Sequence, residues 1–351
     1  MTANKYTGIP SPGLERELDR ALAEMGREIE ALRLPGLAGV VLGGGYGRGE
    51  GGVRHTPEGD RLYNDLDFFV FGDRADRRRK QAIAAALVEI SEKWEPVLGV
   101  DIDFSPVKNL SELRRAAPTL MFQELRNGWK PVWGAVDPAR MIPALAPDEV
   151  PFSEAVRLLM NRGMGLVFAG DRLNRQDRDA DFIVRNMNKT MLGCGDATLL
   201  AAGRYCWSGT ERCAAFADYV REQRMPEEFG AFYADAFRYK LEPVPVLPED
   251  PFRRWRECRR FYLDTVRRVS GAGPDADADE TVRGLRRRAA GARSFRNFLR
   301  WMIKARSPKP LSRMSDAPEA TVLEMLFRLL SASENCPDLP PELHRLWRLF
   351  N

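Results

Sequence analysis

Soft metal ligands are scarce in this chain. Five cysteines (Cys194, Cys206, Cys213, Cys258 and Cys336) show no C-x-x-C spacing, and there are only two histidines, His55 and His344. A zinc site or a Cys–His catalytic pair is therefore poorly supported, and the odd cysteine set reads as reduced thiols. An excess of one charge is also missing. The 54 basic and 50 acidic residues leave a net +4, which carries no strong signal for a polyanion partner and argues against a dedicated polynucleotide binder. No apolar run approaches the length of a membrane span, and the N-terminus lacks a basic-then-apolar leader pattern, so a cytoplasmic location is expected. No internal repeat of fixed period is present.

What the chain does have is concentrated early. Ala38-Gly39-Val40-Val41-Leu42 is an apolar, partly β-branched run that stops at Gly43-Gly44-Gly45-Tyr46-Gly47-Arg48-Gly49-Glu50. A buried strand ending in a phosphate-binding turn has this form, because backbone N–H groups approach phosphate oxygens closely where no Cβ intervenes. After a polar stretch comes Asn64-Asp65-Leu66-Asp67-Phe68-Phe69-Val70-Phe71. Side chains two apart in a strand share a face, so Asp65 and Asp67 can reach one metal cluster. Carboxylate oxygens suit Mg²⁺, and two such ions can activate the attacking oxygen and stabilise the leaving one in phosphoryl transfer.

That chemistry needs a third carboxylate. In Gly99-Val100-Asp101-Ile102-Asp103-Phe104 the apolar and acidic residues alternate, predicting a second strand with Asp101 and Asp103 on one face. Either acid can serve as the third carboxylate, with Asp103 slightly favoured. Arg48 is placed to pair with a phosphate or with Glu50. The turn-rich, charged stretch from Gly51 to Arg61 reads as a solvated insertion, with a lid over the nucleotide as the other reading.

The run Gly44-Gly45-Tyr46-Gly47-Arg48-Gly49-Glu50 with Asp65-Leu66-Asp67 resembles the DNA polymerase β-like nucleotidyltransferase superfamily, and its wording is similar to that of bacterial signal-protein uridylyltransferases. The segment Leu120 to Gly134 is similar to the helix, glycine and short strand that close the minimal nucleotidyltransferase domain, so the likeness covers roughly the first 140 residues. The resemblance implies transfer of a nucleoside monophosphate from a nucleoside triphosphate such as ATP. It places Gly44 and Gly45 at the phosphates, Asp65 and Asp67 on the metals, and Asp101 or Asp103 as the third carboxylate. It also implies an α+β domain over residues 1–148, a short mixed sheet with flanking helices.

The chain is long enough for two domains. Leu14, Leu18, Leu22, Met25, Ile29 and Leu32 recur at helical spacing after Ser11-Pro12, and Ala75 to Trp94 reads as a crossover helix between the two acidic strands. The expected order is helix, strand, glycine loop, strand, helix, strand, helix, strand.

Beyond the turn-rich Met141 to Pro151, helical patterns take over at Ser153 to Met160, Asp181 to Gly193, Asp196 to Tyr205, Glu211 to Arg224 and Phe252 to Val269. Residues 149–351 are thus expected to be an all-α bundle that helps complete the nucleotide and acceptor pockets. Lys189 could reach a triphosphate as a point charge, with an exposed lysine on an amphipathic helix as the plainer reading; Arg162 and Arg185 have the same status. The basic run Arg283 to Lys304 is interleaved with Phe295, Phe298 and Trp301 and reads as one amphipathic helix burying Phe295, Leu299, Trp301 and Ile303.

Three functions follow. The first is a Mg²⁺-dependent transferase acting on a hydroxyl of a small molecule or protein. The second is a template-independent RNA-end nucleotidyltransferase that uses the basic run. The third is a non-catalytic nucleotide-sensing or partner-binding relative.

Overall fold

In a computed structural model of the chain, which describes residues 4–115, 119–175, 179–289, 294–305, 317–332 and 334–351, the first expected helix is α1, Pro12–Ala31. Proline at its start has the helical φ already and forfeits no hydrogen bond there. The chain continues through β1 (Leu37–Leu42), a short helix α2 (Gly44–Arg48), β2 (Val53–Thr56), β3 (Gly59–Leu62), β4 (Leu66–Gly72) and the crossover helix α3 (Arg77–Leu98). It then forms β5 (Ile102–Phe104), β6 (Lys108–Asn109), α4 (Leu110–Leu113), α5 (Leu120–Asn127), β7 (Lys130–Gly134) and α6 (Pro138–Met141).

Five strands make one mixed sheet in the order β5-β4-β1-β7, with β6 also on β4. β4 runs antiparallel to β1 and parallel to β5, the relation expected of strands joined by a crossover helix. Period-two alternation divides the sheet into two faces. Val40, Leu42, Leu66, Phe68, Val70 and Ile102 pack against Leu18 and Met25 of α1 and Ile83, Leu87 and Ile90 of α3. Val41 and Phe71 face the other way, against Leu113, Phe122 and Leu125 of α4 and α5. By the same alternation Asp67 and Asp103 belong to this second face.

One expectation is corrected here and one refined. The glycine stretch is not an open loop but the helix α2, and the stretch from Gly51 to Arg61, solvent-exposed over most of its length as expected, is ordered as part of a β2–β3 hairpin whose base, Val53 and Leu62, is buried. Tyr46 explains both. Its ring lies fully inside, and its hydroxyl donates to the Gly52 carbonyl at 2.7 Å and accepts the Tyr63 N–H at 3.0 Å, closing the two ends of the hairpin. Burial pushes the Tyr46 hydroxyl up to about 12, so it is a neutral hydrogen-bonding group at any physiological pH. Tyr46→Phe strands a buried carbonyl and a partly buried N–H, and we expect a loss of about 1–3 kcal/mol in denaturant unfolding, with faster proteolysis inside 51–63.

The chain groups into two compact units. The first is Met1–Ala146 with Trp207–Gly209 and Arg238–Val244; the second is Pro147–Cys206, Thr210–Phe237 and Pro245–Asn351. The two short segments, assigned by sequence to 149–351, group with the first unit instead.

From residue 147 onward every described element is helical: a 3-10 turn at Pro147–Glu149, α7 (Phe152–Asn174), α8 (Ala180–Ala201), α9 (Gly209–Glu222), α10 (Glu228–Leu241), α11 (Pro251–Ser270), α12 (Ala278–Ala289), α13 (Ser294–Ala305), α14 (Pro318–Ala332) and α15 (Pro341–Phe350). The two helices expected around Gly193 are one, α8. Its glycines are sites of close packing, since a Cβ at Gly193 would meet Arg162 and one at Gly195 the Tyr233 ring.

The basic run is divided between α12 and α13, with Arg293 and the side chains of Phe295, Arg296 and Phe298 outside the described residues. Trp301 is buried against Phe350 as expected, whereas Leu299 and Ile303 are exposed. Arg286 pairs with Glu324 at 2.7 Å and Arg300 with Glu319 at 2.6 Å, so these arginines hold the second unit together. All five cysteines are free, and burial raises the thiols of Cys194 and Cys258, as suits core residues rather than nucleophiles. No described helix is long and apolar enough to cross a membrane.

Candidate active site

Because β1 and β4 are antiparallel, the end of β1 lies beside the start of β4, and the Gly43 N–H donates to the Asp67 carbonyl at 2.8 Å. The parallel ladder sets Asp67 of β4 directly opposite Asp103 of β5. Neighbouring strands lie about 4.8 Å apart, so the two residues are cross-strand neighbours on one face. Asp65 and Asp101 precede them on their strands, and the Leu66 N–H bonds the Asp101 carbonyl at 2.9 Å. All four acids thus come to one end of the sheet, at the mouth of β4 and β5. Of the two alternatives for the third carboxylate, Asp103 is the one in register with Asp67.

The electrostatics show how closely the acids are grouped. Partial burial, then the negative charges of Asp65, Asp101 and Glu95, raise the Asp103 carboxyl above the usual aspartate value. An all-oxygen donor set under such mutual repulsion suits a hard divalent cation such as Mg²⁺ in both donor type and charge. Among the described residues no three acidic, His or Cys side chains stand close enough to enclose an ion. Closure around one requires rotamer changes at Asp65, Asp67 and Asp103, none of which is buried.

Gly44 is the second element of the site. It has φ +59°, and a Cβ placed on it would come within 2.0 Å of Asp67 Oδ2, so the carboxylate rests directly on the glycine. The first N–H groups of a helix have no intrahelical acceptor. Gly43, at the N-cap, has no side chain to satisfy those of Gly44 and Gly45. Gly44→Ala meets both the left-handed φ and the Asp67 clash, and we expect it to cost about 1–3 kcal/mol in thermal or denaturant unfolding.

Arg48 and Glu50 follow the structural alternative read from sequence. The Arg48 guanidinium, whose side chain is 9% exposed, pairs with Glu124 at 2.9 Å and Glu50 at 3.4 Å. Glu50 also accepts Lys240 Nζ at 2.8 Å and the Gly209 N–H at 2.6 Å. Burial pushes its carboxyl up. The charges of Lys240 and Arg48 and the bonds from Lys240 and Gly209 outweigh that and hold it down at about 2. Glu50 thus fastens both later segments of the first unit to the end of α2. Tyr239 adds a hydrogen bond to Tyr63, hydroxyl to hydroxyl at 2.8 Å.

Lys189 lies half-buried on α8 in the second unit, and Arg162 and Arg185 lie in that unit as well. Within the second unit Arg185 lies 3.9 Å from Asp181, and the Arg162 carbonyl accepts the Thr190 hydroxyl. Sequence reasoning missed Glu124 and Lys240. Glu124 falls within the quoted Leu120–Gly134 segment, but no local pattern marks Lys240 as a partner of Glu50. Compared with protein-family models, curated proteins and solved structures, the chain finds no match.

Proposed function

We propose that this protein is a Mg²⁺-dependent nucleotidyltransferase, moving a nucleoside monophosphate from a nucleoside triphosphate to a hydroxyl of a small molecule or protein and releasing pyrophosphate. The observation that carries this reading is the register of Asp67 with Asp103, together with the Asp67 carboxylate resting on Gly44 at the start of α2. When bound, the metal ions supply charge neutralisation of the phosphates and activation of the attacking oxygen. Asp65 and Asp67 would hold those ions, and Asp103 would share them and draw the proton from the acceptor hydroxyl. The backbone N–H groups of Gly44 and Gly45 would orient the phosphates, with positioning and charge compensation supplying most of the acceleration.

The test is incubation with each labelled triphosphate, Mg²⁺ and candidate acceptors, following pyrophosphate release and label transfer. Absence of turnover with every triphosphate, and of any Mg²⁺-dependent triphosphate binding, would remove the proposal.

A further inference from the structure

A second group of charges lies in the helical unit, on a helix that the proposed chemistry does not use. Arg256, Arg259, Arg260 and Arg267 stand at i, i+3, i+4 and i+11 on α11, which places all four on one stripe with Leu263 between them. With Ser331 of α14 and Glu334 they line a hollow of about 420 Å³. Four positive side chains thus face one carboxylate in that lining.

Like charges at helical spacing repel, so this stripe costs stability unless something opposes it. Among the described residues the fold opposes it with ion pairs only at the edges, while the Glu334 carboxylate acts on Arg259 at longer range. Arg260 pairs with Glu228 at 2.9 Å and Arg256 lies 4.0 Å from Asp250, and both arginines are exposed. The two inner arginines are half-buried, and among the described residues neither forms an ion pair. Each instead gives its Nε to a backbone carbonyl, Arg259 to Leu330 at 2.6 Å and Arg267 to Ala276 at 3.1 Å. Those bonds fix the planes of two guanidinium groups beside the hollow. Ser331 adds a buried hydroxyl that has no hydrogen-bond partner among the described residues.

Oriented guanidinium forks and a spare hydroxyl match an anion with several oxygens, since arginine binds phosphate in bidentate fashion. The volume is that of a small-molecule site. Among the described residues no aromatic ring lines it, so the lining's polar character is set by the guanidinium groups. We propose that the hollow between α11 and the end of α14 binds a compact, multiply charged phosphate anion of the polyphosphate class. This inference stands apart from the transferase reading.

The test is calorimetric titration of the full chain with tripolyphosphate in low salt and EDTA, which removes any metal-dependent binding at the aspartates. Saturable binding is expected, weakening steeply with salt. Arg256→Glu/Arg260→Glu, at exposed positions that leave the core untouched, and Arg259→Gln/Arg267→Gln should each weaken it about tenfold or more, with folding checked by circular dichroism. Asp67→Ala should bind as the unaltered protein does. No saturable binding, or unchanged affinity in Arg256→Glu/Arg260→Glu, would overturn the assignment. Displacement of tripolyphosphate by a short single-stranded RNA at lower concentration would also overturn it, in favour of a polymer-binding surface.

Discussion

Asp67→Ala should lower nucleotidyl transfer by about 10³-fold or more while the protein stays folded, because it removes a carboxylate that would hold the ions neutralising the charge on the phosphate oxygens. Asp67 points away from the core of α1 and α3, and alanine keeps the β4 backbone ladder. Folding should survive for that reason, as checked by circular dichroism in metal-free buffer. Asp103→Asn should be nearly as damaging to turnover and Asp101→Asn much less so, since only Asp103 is in register with Asp67. Pyrophosphate release measured on the three variants side by side decides the matter. Full activity in Asp67→Ala would refute the proposed chemistry, and a more severe loss in Asp101→Asn than in Asp103→Asn would exchange the roles of those two acids.

The readable part of this site was the part written in local periodicity. Alternation of apolar and acidic residues predicts two strands, and the register adds which acid faces which, something that a single strand's sequence cannot contain. Ser11-Pro12 and the heptad-like leucines predict α1 almost to the residue, and the crossover helix follows from Ile83, Leu87, Ile90 and Trp94. The glycine stretch misled because glycine is read as flexibility. Here it serves close packing: Gly44 makes room for Asp67, Gly47 approaches the Leu42 carbonyl, and Gly51 lies on the Tyr46 ring. The turn formers of residues 51–61, solvated over most of their length, did not announce a hairpin for a related reason. The hydrogen bonds that make them a hairpin base come from one buried tyrosine hydroxyl, and a hydroxyl's partners cannot be read from composition.

Long-range pairing was the least legible feature. Lys240 is 190 positions from Glu50 and Gly209 is 159, yet both meet its carboxylate. Residues 207–209 and 238–244 sit among helical patterns and were assigned with them, although they group with the sheet-bearing unit. What links them to it is charge and hydrogen bonding at the end of α2, next to the glycine on which Asp67 rests.

Replacing Glu50 should therefore be strongly destabilising to the first unit. In Glu50→Gln the cations of Arg48 and Lys240 lose a carboxylate whose side chain is only 12% exposed, and breaking a buried pair from one side costs about 3–5 kcal/mol. The pH dependence gives an independent measure. The Glu50 carboxyl falls from its ordinary 4.5 in the unfolded chain to about 2 in the folded one, so its contribution is fully present above pH 4.5 and is lost as the pH drops through 2. A shift of that size corresponds to about 3 kcal/mol. Denaturant midpoints should fall more steeply between pH 4.5 and 2 in the unaltered protein than in Glu50→Gln, while at pH 7 the variant should already be the weaker of the two. Lys240→Met in the Glu50→Gln background should restore part of the loss, because it removes a cation left without its carboxylate. Equal stability of Glu50→Gln and the unaltered protein at pH 7 would mean that the carboxylate does not hold Lys240 and Gly209 against the end of α2.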